Sequence, residues 1–269
     1  MSGQAGTREC LRSIAPRWSR ARSPRLSVRW PGIAGRSGEV VTRMVEWLDR
    51  REHLPGAGNV NVLSVFDFDG TLTRHDSFLP FLWFAFGTLG FLRRLPAMVL
   101  PGLAFLCRRI SRDELKSCLI RVFLRGIEAK WLSARAQAYC QFIWGYLLRP
   151  SGLRGVAAEL DSGAAVTLCS ASPALVLLPF AERLGVGLIG TELEVVDGRL
   201  TGRILGGNCR AENKVLRLQA KYGPLSAYRL RAWGDTQGDH ALLRAAQDPH
   251  WRAFHSHWRR TSGPSRPSA

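Results

Sequence analysis

Residues 62–73 read Val-Leu-Ser-Val-Phe-Asp-Phe-Asp-Gly-Thr-Leu-Thr, and the fold turns on how they are read. Five mostly apolar, β-compatible residues run into two carboxylates spaced two apart, then a glycine and a threonine. Such a run reads as a buried strand that delivers Asp67 and Asp69 to its carboxyl end. Strand geometry has a period of two, so both side chains are expected on one side. Burying one carboxylate is costly, and burying two together is worse unless a cation or protons compensate. The pair therefore marks a metal site, an acid/base site, or both.

Three further constellations follow in order. Residues 164–173 (AAVTLCSASP) are a second short apolar run, ending in a hydroxyl before what reads as a helix. Ser170 and free backbone N–H groups at such a turn suit a phosphate oxygen, although Ser170 taken alone reads first as an N-cap. Residues 209–218 (CRAENKVLRL) put Lys214 at the start of an amphipathic helix, in a chain with four lysines and thirty-four arginines. A compact ammonium can lie between a carboxylate and a phosphate without a planar fork's geometry; alone, Lys214 reads as an exposed helix lysine. Residues 228–239 (YRLRAWGDTQGD) read as a strand ending in Gly-Asp, with Asp239 four residues beyond Asp235. Hard oxygen donors of this kind suit Mg²⁺, which takes one or two carboxylates plus substrate phosphate.

The segment Asp-Phe-Asp-Gly-Thr-Leu-Thr resembles the first motif of the haloacid dehalogenase superfamily of phosphotransferases. The other three constellations match its remaining motifs in order, over roughly residues 60–255. The resemblance implies an α/β fold: a Rossmann-like core with a parallel sheet and an inserted α-helical C1-type cap. It also implies a Mg²⁺-dependent phosphomonoesterase in which Asp67 attacks phosphorus and forms an aspartyl-phosphate. Asp69 is then the general acid for the leaving alkoxide and the base for water. The metal set is Asp67, Asp69 through its main-chain carbonyl, and Asp235, with Asp239 as a supporting carboxylate. Thr71, Ser170 and Lys214 are expected to hold the phosphoryl group, whose transfer needs in-line positioning and charge neutralisation. Relatives that cleave carbon–halogen bonds or act as P-type ATPases lack an acid at the position of Asp69, so its presence favours phosphate-ester hydrolysis.

About a hundred residues separate Asp69 from Ser170, too many for a simple crossover. The intervening sequence reads helical, with amphipathic spacing over 113–125, Ser111 or Asp113 as caps, and a second stretch over 128–148. The expected organisation is a core of 60–73 plus 151–255 and a helical cap of 74–150. Residues 191–203 (TELEVVDGRLTGR) read as a hairpin turning at Asp197-Gly198. A helical cap with such a hairpin resembles the phosphoserine-phosphatase-like subfamily.

From Ser77 to Leu92 no residue is charged, and six aromatics, including Phe78, Trp83 and Phe84, crowd the segment. After Arg93-Arg94 a second apolar run reaches Cys107, broken by Pro96 and Pro101. Neither run reaches the ~20 residues of a spanning helix. One reading is a buried helical hairpin. The other is an interfacial surface, with Arg93, Arg94, Arg108 and Arg109 meeting anionic lipid. The run from DSFLPFL to the Gly-Asp-Thr-Gln-Gly-Asp element is similar to the phosphatidylglycerophosphatase C-like branch, which implies a lipid phosphate monoester. The alternative substrate is a soluble metabolite such as phosphoserine or histidinol phosphate. Asp76 either reads a substrate amine or caps the first helix. A third possibility is a catalytically silent basic module that binds acidic partners.

The net charge of +17 points toward nucleic acid or a membrane surface. No recognition module or zinc spacing supports nucleic acid, and no obligate protein partner is implied. Much of the charge lies at the ends. Residues 1–38 carry eight arginines and one acid, a composition expected to be disordered. This start mimics an organelle transit peptide, or is an upstream extension, 1–43, with Met44 as the true start. The tail 259–269 likewise reads disordered. Six cysteines without disulfide spacing suit reduced thiols in the cytoplasm, free or peripheral at the inner face of the membrane, and the chain is not expected to be secreted. His255 and His257 read as surface residues.

Overall fold

The computed structural model describes residues 62–255; the expectations for 1–43, Met44, His257 and the tail lie outside them. Strand β1 (Val62–Phe66) forms where five β-compatible residues precede Asp67, and it is buried from Leu63 onward. It pairs in parallel with β2 (Ala165–Pro173) on one side and with β5 (Arg229–Gly234) on the other. Outside β2 lie β3 (Gly187–Val196) and the antiparallel β4 (Arg199–Leu205); outside β5 lies β6 (Asp248–Trp251). The order β4-β3-β2-β1-β5-β6 makes a six-stranded, mostly parallel sheet.

Parallel neighbours cannot be joined by tight turns, so helical crossovers are required. Between β1 and β2 come α1 (Phe78–Leu92), α2 (Val99–Leu106), α3 (Arg112–Leu124), α4 (Ala129–Leu147) and α5 (Pro150–Asp161). Helix α6 (Ala174–Leu184) joins β2 to β3, α7 (Glu212–Tyr222) lies between β4 and β5, and α8 (His240–Ala245) joins β5 to β6.

The two faces of the sheet follow the alternation of β1. Leu63 and Val65 pack with Leu218 of α7 and Leu242 of α8, whereas Phe66 packs on the other face with Val156, Leu168 and Phe180. Phe66 also stacks on Trp233 of the neighbouring strand, ring centroids 4.1 Å apart. The one polar residue of β1, the buried Ser64, donates to Glu159 of α5 at 2.6 Å. Asp67 has the parity of Leu63 and Val65, and that parity turns it toward α7.

The helices between β1 and β2 leave and rejoin the sheet through a narrow neck. Arg74 N–H donates to the Leu147 carbonyl at 2.9 Å, and Arg149 N–H to the Leu72 carbonyl at 2.8 Å. Phe81, Ile120, Phe123, Leu132 and Tyr139 form the core of this segment, continuous with Phe68 and Phe180. Ser111 is the N-cap of α3: its hydroxyl accepts from Glu114 N–H at 3.2 Å, and the Glu114 carboxylate accepts from Ser111 N–H at 2.6 Å. The hairpin turns at Asp197 (φ 50°) and Gly198 (φ 76°), the two positive angles its twist demands. It rests on α3 at Gly202, where a Cβ would come within 3.1 Å of Arg121 Cα.

The aromatic run divides between buried and exposed residues. Phe78 and Phe81 are buried, and Phe84, Phe86 and Phe91 pack partly buried on the core, but Trp83 is exposed.

Candidate active site

The chain leaves β1 at Asp67, whose N–H donates to the Trp233 carbonyl at 2.9 Å. It then turns tightly over residues 68–72, with Gly70 at φ +87°. A Cβ on Gly70 would lie 2.3 Å from Asp235 Oδ2, so both the backbone angle and the close approach require glycine. Asp67 and Asp69 both line one cavity, where the two carboxylates take separate partners.

Asp67 Oδ1 meets Lys214 Nζ at 2.6 Å, and the same ammonium lies 2.6 Å from Asp239 Oδ1. Lys214 is almost wholly buried, not the exposed helix lysine its sequence allows. Asp239 Oδ2 accepts from the N–H groups of Asp235 and Thr236 and from the Thr236 hydroxyl. Burial acts to raise the Asp239 carboxyl, but Lys214 and Thr236 outweigh it and hold it below the usual range. Burial also opposes the charge on Lys214, which Asp67 and Asp239 nonetheless hold well above its ordinary value. Lys214 and Asp239 are thus the ionised pair at the back of the site. Burial pushes the Asp67 carboxyl well up, with Lys214 opposing.

Asp69 is held differently. It accepts from Ser77 N–H at 2.8 Å and from the Ser172 hydroxyl at 2.5 Å. Burial pushes its carboxyl up, Asp76 adds to that, and Ser172 and Ser77 pull back. Its side chain is absent from the group of close carboxylates, Asp67, Asp235 and Asp239, whose oxygens lie within 4.8 Å of one another. The expectation for Asp69 is a ligand through its main-chain carbonyl, a role that leaves its carboxylate to Ser77 and Ser172.

The donors fit Mg²⁺. They are all oxygen, as a hard cation prefers. Three carboxylates against one ammonium leave a local charge of about −2 when all are ionised, which a divalent ion balances. Asp235 Oδ1 accepts from the Thr71 hydroxyl at 3.0 Å, and burial raises its carboxyl. Asp239, with both oxygens engaged, supports the site from behind.

A cavity of about 450 Å³ brings together Asp67, Asp69, Asp76, Ser170, Lys214, Asp235 and Asp239. Thr71 is corrected: it is buried behind the cavity with its hydroxyl on Asp235, so it positions carboxylates instead of lining the substrate space. Ser170 does not cap α6, which begins four residues later; its hydroxyl accepts from Ser172 N–H at 3.1 Å. Asp76 caps α1, accepting from the N–H groups of Phe78 and Leu79 at 2.9 and 3.3 Å. His255 is corrected from a surface residue: its Nε2 lies 3.2 Å from the Gly70 carbonyl and 3.6 Å from Asp235 Oδ2.

Three contributors went unread in the sequence. Ser172 stands two residues beyond Ser170 in an extended run, a spacing that puts both hydroxyls at one end of a strand. Lys116 of α3 donates to the Ala171 carbonyl, with burial lowering its ammonium and Asp69 and Asp76 opposing. Asn208 donates to Asp113 Oδ1 of α3 at 2.5 Å. Lys116 from α3 and Asn208 from the loop after β4 both line the cavity, and no local pattern announces them. The five described cysteines are free thiols.

Residues 64–244 match the family model described as haloacid dehalogenase-like hydrolase. The chain is 38% identical over 202 residues to Protein CicA of Caulobacter vibrioides, covering 73% of this chain and 88% of that protein. Its structure is similar to that of a protein of unknown function from Bordetella pertussis Tohama I, with a TM-score of 0.61 and 25% identity over 71% of this chain and 89% of that one. A probable phosphoserine phosphatase from Vibrio cholerae shares the fold, with a TM-score of 0.51 and 16% identity over 76% and 62% of the two chains.

Proposed function

The chain belongs to the haloacid dehalogenase-like hydrolases, and from that premise we propose that it is a Mg²⁺-dependent phosphomonoesterase working through an aspartyl-phosphate on Asp67. The observation that carries this reading is the unequal setting of its two first-motif carboxylates. Lys214 occupies Asp67 Oδ1, while Oδ2 has only the Thr71 hydroxyl at 3.5 Å and is left to attack. Asp69, its carboxyl raised by burial and by Asp76 against the pull of Ser172, suits a group that begins protonated.

In the first half-reaction Asp67 forms the O–P bond, the ester P–O bond breaks, and Asp69 gives its proton to the leaving alkoxide. In the second, water attacks phosphorus, Asp69 takes its proton, and phosphate leaves as the Asp67 carboxylate is restored. Lys214 neutralises charge beside the nucleophile, and Ser170 faces the cavity from the end of β2. Bound at Asp67, Asp235 and the Asp69 carbonyl, Mg²⁺ would supply positive charge next to the transferring group. A silent binding module would have no use for this buried ion pair, whose assembly costs desolvation.

For the substrate, the reading is a lipid phosphate monoester such as phosphatidylglycerophosphate. Its support is the apolar segment 78–106, which is flanked by the cavity residues Asp76 and Arg112. Asp76 is committed to capping α1, which weakens the reading of it as an amine reader for phosphoserine or histidinol phosphate. The test is Mg²⁺-dependent phosphate release from phosphatidylglycerophosphate, phosphatidic acid, phosphoserine and histidinol phosphate, with Asp67→Asn as the blank. Acid-quenched digests of the wild type should carry phosphate on the Asp67 peptide. Turnover without that adduct, and with an active Asp67→Asn variant, would overturn the covalent route.

A further inference from the structure

Helix α2 (VLPGLAFL) is apolar on every face, yet none of its residues is buried. A helix apolar all round belongs in a protein interior or in lipid, and here the protein covers it on no side completely. The exposure extends beyond α2. Nine of the fifteen large exposed hydrophobic side chains among the described residues fall between Leu79 and Leu106. Leu100 and Leu106 are the most open of them, at 77% and 76%. Soluble surfaces scatter such residues singly, and a contiguous concentration marks an interaction site.

Three features decide what covers it. First, the shape: α1 and the 95–106 helical stretch meet at a 102° bend, and no single helix is long and apolar enough to cross a membrane. An elbow of this kind lies along an interface or dips into one leaflet. Second, the charge: between Ser77 and Arg112 there is no acid, and the charged residues are Arg93 and Arg94 at the bend and Arg108, Arg109 and Arg112 after α2. Arg93, Arg108, Arg109 and Arg112 are exposed. An apolar face edged only by cations complements an anionic bilayer. It complements a second copy of itself poorly, because a two-fold contact sets the same arginines against one another. Third, the position: Asp76, just before α1, and Arg112, at the start of α3, both line the active-site cavity, so the elbow springs from its mouth.

We propose that the α1–α2 elbow is a monotopic docking surface for an anionic phospholipid bilayer, with the apolar side chains of α2 among the acyl chains and the arginines at the headgroups. Trp83, exposed and close-stacked on Phe91 at 5.8 Å, is the aromatic residue suited to headgroup depth. The inference extends the lipid-phosphate reading of the substrate, but the docking itself does not depend on the phosphatase chemistry.

The test is flotation of the full-length protein with vesicles of phosphatidylcholine alone and of phosphatidylcholine with one-quarter phosphatidylglycerol, at low and high salt. Hydrolysis of para-nitrophenyl phosphate is followed in parallel. The wild type should float with the anionic vesicles, more weakly at high salt. The variant Leu100→Ser/Leu103→Ser/Leu106→Ser should lose at least tenfold in partitioning, and Arg108→Ser/Arg109→Ser several-fold along with most of the salt dependence. Val196→Ser, an exposed apolar residue of the hairpin, should bind as the wild type does. All variants should still hydrolyse the soluble ester, which shows they are folded. Failure of the wild type to float, or equal flotation of the triple leucine variant, overturns the proposal. So does light scattering that finds a dimer dissolved by the leucine changes with no vesicle binding. Flotation by a protein inactive on every phosphate ester would sink the phosphatase reading and leave the docking surface standing.

Discussion

Asp67 and Asp69 are the same residue type two positions apart, and their neighbours alone separate their roles. Lys214 fixes one oxygen of Asp67, so Asp67→Asn should lower turnover by at least about 10³-fold, as losses of a nucleophile do, while circular dichroism stays unchanged. Substantial residual turnover would remove the assignment. The second residue-scale prediction concerns Ser172, whose hydroxyl stands 2.5 Å from Asp69 Oδ2 and lowers that carboxyl against the lift from burial. In Ser172→Ala the folded-state pKa of Asp69 should rise further, keeping the acid protonated to higher pH. The alkaline limb of the pH profile of kcat/KM should therefore move upward, and kcat should fall roughly tenfold, the scale of one hydrogen bond to a charged group. A fallen rate with an unmoved limb would make Ser172 merely structural. Asp67, Lys214 and Asp235 were legible because each sits where an apolar run ends or a helix starts. Ser172, Lys116 and His255 were not, because their roles depend on distant segments folding against the site.

At the scale of elements, the readable features were those with local chemistry. Ser111 and Glu114 close a capping box around the first turn of α3, and Asp197-Gly198 supplies the two positive φ angles of the hairpin. Ser111→Ala should cost about 1 kcal/mol, the usual value of an N-cap, and so lower Tm by about 2–4 °C in a domain of this size. Calorimetry checks it, and no change would mean the helix is fixed entirely by its packing. Alternation says nothing of the turn after β1, where Gly70 at positive φ comes close to Asp235. It also could not divide the aromatic run. Trp83 and Phe84 are adjacent and equally apolar, but Phe84 packs on Tyr139 at 5.4 Å while Trp83 is left exposed. Which residue of such a pair is covered depends on where α4 lies, and α4 is a helix far along the chain from α1.

For the whole molecule, the decisive feature is the place of β1 in the sheet. From β1 the chain winds outward through β2 and β3, then returns to lay β5 on the other side of β1. Open sheets bind ligands outside the carboxyl ends of their strands where the winding reverses, and here the reversal sets Asp67 beside Asp235. A parallel sheet was legible through the resemblance of four motifs, but the strand order was not, since no single segment states which strands are neighbours. The juxtaposition makes stability depend on charge compensation: two carboxylates raised by burial meet at the ends of β1 and β5, with one ammonium between Asp67 and Asp239. A cation that binds this folded arrangement and not the open chain must raise Tm. At a concentration about 100 times its Kd, Mg²⁺ contributes about 2.7 kcal/mol. That corresponds to a rise of roughly 5–10 °C for about 200 folded residues. Scanning calorimetry with and without Mg²⁺ measures it, and Asp235→Asn should abolish most of the rise because it removes one of the two carboxylates with oxygens to spare. An equal rise in that variant would place the ion elsewhere, and no rise in the wild type would mean that Lys214 alone neutralises the site.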